Sequence, residues 1–261
     1  MLDVLLTDVY PVDMTDVLGV SHDVIARAKH DLAAAFRAAA MHGFNEGIDN
    51  HFSLAVPGRT DLFLLNRFGP HWSEMTSGDI ITVDFDGNVV DGHGHWEVTA
   101  FMIHRGCHRA RPDAQAVFHT HMPYASALSM TADGLNTRIH QNSMYFHNRM
   151  ARLAYGGFAE GPSEGDRIAS AVTEGAILVM LDNHGVIVIG NDVADAWHKL
   201  YFLEQAARLQ VLAQSTGSPL IEVSEEVAQL TADSWHREAE NAPQLFAAVK
   251  RQLGWLDVNV D

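Results

Sequence analysis

Apolar side chains at Ile25, Ala28, Leu32, Phe36 and Ala39 recur at helical spacing in an alanine-rich run. This spacing predicts a helix from Ser21 or His22 to Met41, stopped at Gly43. The pattern then changes to short apolar runs separated by turn residues. A turn at 47–50 feeds a strand through His51, Phe52, Ser53 and Leu54, and Asp61–Leu65 and Ile80–Val83 read as further strands. Asp84-Phe85-Asp86-Gly87-Asn88 has the composition of a hairpin turn. Helical spacing returns over Glu97–Ala110, and Ala116–His121 is an apolar strand that Pro123 ends. A helix is expected over Pro123–Met130, extended or mixed structure over Thr137–Phe146, and a helix capped by Ser163 running through Thr173. A second apolar strand from Leu178 runs into a turn at Asn183-His184-Gly185. Asp192 can cap a long helix through Trp197, Leu200, Leu203, Ala207 and Leu209 to about Gln214, and two helices near 224–237 and 242–254 complete the chain.

No repeat or linker divides the chain, so the economical architecture is α/β, with a central sheet flanked by helices. Residues 1–20 read as an irregular arm, 21–220 as the main domain, and 221–261 as helices packed on that same domain. The 261 residues suffice to bury a full core. With 17 basic against 33 acidic residues the formal charge is −16, which disfavours nucleic acid and anionic membrane surfaces as partners. The single cysteine, Cys107, rules out an internal disulfide and suits a reducing compartment. No stretch has the composition of a signal peptide or a membrane span, so a cytoplasmic protein is expected.

Candidate chemistry centres on His119-Thr120-His121. Side chains alternate along a strand, so these two imidazoles point the same way and form half of a metal site. The third ligand would come from His184, at the end of the other apolar strand. Two ordinary strand histidines are the plainer alternative for the pair taken alone. Imidazole ligands suit zinc, manganese and other divalent ions. Sixteen histidines also supply rivals. His104, Cys107 and His108 fall on one helix face, although packing is the simpler role there. His93-Gly94-His95 lies in a glycine loop beside His71, where an ordinary surface loop is the default.

Arg111-Pro112-Asp113, Ala116-Val117, His119-Thr120-His121, Asn183-His184-Gly185 and the segment from Ala196 to Glu204 together resemble the class II aldolase/adducin family over residues 22–215. The resemblance implies an α/β/α sandwich with a mostly antiparallel sheet. It also implies a divalent metal, Zn²⁺ or Mn²⁺, on His119, His121 and His184, and a homotetramer with active sites near subunit interfaces. Family activities include sugar-phosphate aldol cleavage, epimerisation, dehydration and decarboxylation, and adducin uses the domain without known catalysis. Departures from the aldolase pattern are specific. His51 stands where the aldolases have asparagine, Gly94-His95-Trp96 replaces a serine pair before Glu97, and Gln141 falls where an acid tyrosine is expected. The phosphate-binding residues are therefore missing, while His51 matches the family's decarboxylases. Catalytic candidates are Glu97, His51, His140 and Tyr145, and substrate-binding candidates are Asn50, Ser53 and Gln141. Each has an ordinary structural alternative. Glu97, for example, could be a first-turn residue favoured by the helix dipole.

Three readings follow. The first is a metal-dependent carbon–carbon lyase that decarboxylates a small unphosphorylated hydroxylated aromatic, heteroaromatic or oxo-carboxylate. The second is a sugar or sugar-phosphate aldolase or epimerase. The third is a non-catalytic adducin-like interaction module.

Overall fold

The computed structural model describes residues 18–158, 162–172 and 175–254. Most of the expected N-terminal arm (1–17), Thr173, and residues 255–261 of the C-terminal segment lie outside them. Helix α1 (His22–His42) buries Leu32, Ala33, Ala34, Ala35 and Phe36 and ends at Gly43, whose positive φ of 70° turns its N–H back onto the last helical carbonyls. Strands β1 (His51–Ala55), β2 (Leu62–Asn66), β3 (Ile80–Asp84) and β4 (Val89–Asp91) follow as a meander. Helix α2 (Val98–Ala110) leads into β5 (Ala116–Thr120), then α3 (Pro123–Ser129) and α4 (Gln141–Met144). Next come β6 (Met150–Leu153), α5 (Pro162–Val172), β7 (Leu178–Leu181) and β8 (Gly185–Gly190). Helices α6 (Val193–Ser215), α7 (Glu225–Glu238) and α8 (Ala242–Gln252) end the described chain.

The eight strands form one sheet in the order β4-β3-β2-β1-β5-β8-β7-β6, antiparallel throughout except for β6 beside β7. Alternation along β1 and β5 sorts their side chains between two layers. Phe52 and Phe118 stack with ring centroids 3.9 Å apart on the face covered by α1, α6 and α8, where Phe36, Trp72, Trp197 and Leu200 complete the core. On the other face Ile103 and Cys107 of α2 and Ile168 of α5 pack on Val117, Val179 and Ile187. Each fully buried aromatic or aliphatic side chain contributes about 1.5–3 kcal/mol, so this two-sided burial fixes strand register. A one-residue slip of β1 would exchange Phe52 with His51. The α/β/α sandwich with a mostly antiparallel sheet is borne out.

Several elements differ from expectation. The strand running into His184 continues past it: residues 182–184 form a tight turn, and β8 returns antiparallel to β7 between β7 and β5. Four-residue β6 has no period of its own and exists because it pairs with β7. The region expected as extended or mixed contains α4, with His140 at its N-cap. The C-terminal helices are not among these differences: Phe246 and Val249 join the main core, and Trp235 stacks on Tyr145.

Candidate metal centre

His119 is the penultimate residue of β5, His121 lies just beyond the strand, and His184 sits in the turn between β7 and β8. Because β5 and β8 are neighbours, the three rings meet at one end of the sheet. Their centroids are separated by 5.0 Å (His119–His121), 4.9 Å (His119–His184) and 4.7 Å (His121–His184). One nitrogen from each ring lies within 4.8 Å of the others.

The partners of the remaining nitrogens set the tautomers. His119 Nδ1–H donates to the Val186 carbonyl at 3.0 Å, and His121 Nδ1–H donates to the Glu46 carboxylate. In both rings Nε2 is left for a ligand. His121 Nε2 is buried and has no hydrogen-bond partner, which is costly unless a cation takes its lone pair. Burial holds His119 well below the usual histidine pKa, with His51 adding to the effect. His184 is lowered to about 4, again chiefly by burial. Two imidazoles held neutral by burial, the partnerless Nε2 of the third and a carboxylate behind that ring together form a donor set suited to a divalent cation.

Local backbone holds the cluster in place. Asn50 takes a left-handed φ of 71° in the turn before β1, and its Oδ1 accepts the His121 N–H at 3.2 Å. Gly185 must lack a side chain, because a Cβ there would lie 2.5 Å from the Thr120 carbonyl and 2.7 Å from His121 Cδ2.

A cavity of about 690 Å³ opens on the three histidines. Asn50, His51 and Glu97 lie on its wall, as do Phe68, Tyr155 and Phe158. Its charged lining residues are Glu46, Asp49 and Glu97, with no lysine or arginine among the described residues. His51 lies opposite His119 across the β1–β5 pair, with ring centroids 4.8 Å apart. Burial holds it neutral far below the usual range, and His104, His121 and His184 push the same way. Glu97 is the N-cap of α2: its Oε2 accepts from the Ala100 N–H at 2.8 Å and from the Thr99 hydroxyl. It therefore holds the helix start and borders the cavity at once.

Four sequence candidates stand elsewhere. Ser53 is fully buried behind His51, where it contacts His104 and His108. His140 accepts the Asn142 N–H as a helix cap, and the Gln141 carbonyl accepts the Trp235 indole N–H at 2.7 Å. Tyr145 is buried against Trp235, with centroids 4.9 Å apart, and desolvation raises its hydroxyl pKa. These last three lie at α4, which packs against α6 and α7, away from the cavity wall. Among the described residues the rival cluster on α2 does not converge as metal ligands. His104 and His108 are spent on polar contacts, and Cys107 is buried with its pKa pushed up to about 12. His93 and His95 do not line the cavity.

Glu46 was not anticipated from the sequence. It lies 75 residues from His121, and only an acidic residue shortly before β1 hinted at it.

Comparison with known proteins agrees with this architecture. A model of the Class II Aldolase and Adducin N-terminal domain matches residues 30–211. Decarboxylase NovR of Streptomyces niveus is 33% identical over 214 residues, covering 80% of this chain and 77% of that protein. The crystal structure of an aldolase II superfamily protein from Pseudomonas syringae superimposes with a TM-score of 0.82 at 32% identity, covering 91% of this chain and 96% of the other. L-fuculose 1-phosphate aldolase from Glaciozyma antarctica PI12 gives 0.77 at 27% identity, covering 95% of each.

Proposed function

Since the chain belongs to the class II aldolase and adducin family, we propose that it is a divalent-metal-dependent carbon–carbon lyase that decarboxylates a small unphosphorylated hydroxylated aromatic carboxylate. The observation that carries this is the cavity wall: three convergent histidines beside His51 and Glu97, with no lysine or arginine among the described residues that line it. Away from the ion, a phosphate dianion would meet three carboxylates and no basic side chain among the described lining residues. The exposed rings of Tyr155 and Phe158 offer a flat apolar flank suited to an aromatic body. The NovR relative adds weight to decarboxylation over aldol cleavage.

His119, His121 and His184 would hold the ion, with Glu46 orienting His121. When bound, the ion would supply Lewis-acid chemistry, which offsets negative charge developing as a carbon–carbon bond breaks. His51 lies beside His119, where it can orient a substrate hydroxyl and carry its proton. Glu97 keeps α2 and the cavity wall in register, and its carboxylate is the second group placed to move a proton. Asn50 fixes the backbone of His121. Phosphate esters of sugars are expected to bind poorly.

The test is an assay of CO₂ and aldehyde release over hydroxylated aromatic acids, 3-oxo acids and sugar phosphates, using metal-loaded wild type, His121→Ala, His51→Ala and Glu97→Gln. His121→Ala should lose both metal and turnover. The other two should keep metal and lose about 10²–10⁴-fold in rate. Cleavage of a sugar phosphate with no CO₂ from any carboxylate would replace decarboxylation by the aldolase reading. A zinc-loaded protein inert to the whole panel would favour the interaction module.

A further inference from the structure

His51 and Ser53 share a face of β1, and His104 and His108 share a face of α2 one helical turn apart. The four side chains are buried and connected. His51 Nδ1 lies 2.7 Å from His104 Nε2, Ser53 Oγ lies 2.5 Å from His104 Nδ1 and 2.7 Å from His108 Nε2, and His108 Nδ1 lies 3.0 Å from the Ala114 carbonyl. We propose that Ser53, His104 and His108 form a one-way hydrogen-bond chain, anchored on the Ala114 carbonyl, that presents His51 to the cavity as an acceptor and so selects a ligand carrying a free hydroxyl.

The polarity follows from the closed end. A carbonyl oxygen only accepts, so His108 carries its proton on Nδ1. His108 is buried against the Phe63 ring, at 5.3 Å between centroids, and desolvation lowers its pKa to about 4. As a neutral imidazole it has one N–H, already committed, so its Nε2 accepts the Ser53 hydroxyl hydrogen. With that hydrogen spent, Ser53 Oγ accepts from His104 Nδ1–H. His104 is fully buried and held neutral, so its Nε2 accepts in turn from His51 Nδ1–H. The one hydrogen of the buried His51 ring is thus committed on Nδ1 to His104, which leaves its Nε2 with a lone pair and no hydrogen. The reverse polarity would require a buried imidazolium at His108 with no carboxylate among its hydrogen-bond partners, a costly arrangement.

An acceptor on the cavity wall pairs with a ligand O–H and opposes the lone pairs of an ether oxygen. Sites built to bond a hydroxyl discriminate strongly against analogues that lack it. Ser53, His104 and His108 are then positioning residues, acting on the ligand only through His51. The choice of a carboxylate ligand rests on the function proposed above, whereas the proton positions do not.

Neutron diffraction from crystals of the zinc-loaded protein exchanged into D₂O reads the chain directly. Deuterium is expected on Nδ1 of His51, His104 and His108, and on Ser53 Oγ directed at His108, with none on His51 Nε2. Deuterium on His51 Nε2 would overturn the proposal. Calorimetry with 2-hydroxybenzoate and 2-methoxybenzoate reads the consequence. Wild type should prefer the hydroxy acid by about tenfold, equivalent to about 1.4 kcal/mol. Ser53→Ala, at unchanged zinc content, should lose most of that preference because His104 can then turn its other nitrogen to His51. An equal preference in the two proteins would refute the selector role. If wild type binds neither acid, the carboxylate reading fails, while the neutron map still decides the polarity.

Discussion

Removing the charge behind His121 isolates the contribution of a single side chain to the metal centre. Glu46 lies in the turn before β1 and accepts the His121 Nδ1–H, which fixes the tautomer and points Nε2 at its two companions. Outer-shell carboxylates of this kind typically contribute 10–100-fold in metal affinity, or about 1.4–2.7 kcal/mol. The Glu46 side chain is 64% exposed, so water screens much of its field and the lower end applies. Glu46→Gln keeps an acceptor of the same shape and removes only the charge. About a tenfold rise in the zinc Kd is expected. Glu46→Ala removes the acceptor as well and frees the ring to rotate, so its effect should lie nearer the upper end. The measurement is competition against a chromogenic chelator at fixed pH and ionic strength, with circular dichroism to confirm the fold. His121→Ala sets the scale of complete loss. If Glu46→Ala binds zinc within about twofold of wild type while His121→Ala does not bind, the carboxylate plays no part in the centre.

Further outcomes follow from particular contacts. Gly185→Ala would drive a Cβ into the Thr120 carbonyl and the His121 ring, costing about 1–3 kcal/mol of stability. Both Tm and zinc occupancy should fall, and a variant matching wild type in each would contradict the close approach. His108 is lowered to about 4, so between that pH and about 6.5 the unfolded chain binds the extra proton and the native state does not. Its contribution, up to about 3 kcal/mol, is therefore complete above pH 6.5 and lost as pH falls toward 4. Urea melts of metal-free protein should show this loss together with that of the other buried histidines, and His108→Gln should make the profile shallower by the share of one histidine. A wild-type profile flat from pH 7 to 4.5 would refute the assignment. In a thermal-shift panel of zinc-loaded protein, a hydroxylated aromatic acid at 100 times its Kd should add about 2.7 kcal/mol. An equal shift from a ketose phosphate would contradict the acidic cavity's selectivity.

Local order determined much of what the sequence alone could show. Helix α1 carries its own apolar stripe and glycine stop, Asp192 caps α6, and Pro123 starts a helix just beyond the His119–His121 pair. Strand alternation pointed two histidines one way, and a second strand end supplied His184, so the metal cluster could be read from local spacing together with the family resemblance. What tertiary structure decided was every contact without a local period. Strand β6 is defined by its pairing with β7, and β8 by its place between β5 and β7. Glu46 reaches His121 across 75 residues, and Ser53 reaches His104 and His108 across 51 and 55. The sequence could name Tyr145 and Gln141 as site candidates, but Trp235, a distant helical residue, engages both by ring stacking and an indole hydrogen bond. Periodicity records which face a residue must bury. Which polar groups then meet is set by how the sheet and its two helical layers bring distant segments together, because a buried donor or acceptor takes whatever partner packing delivers.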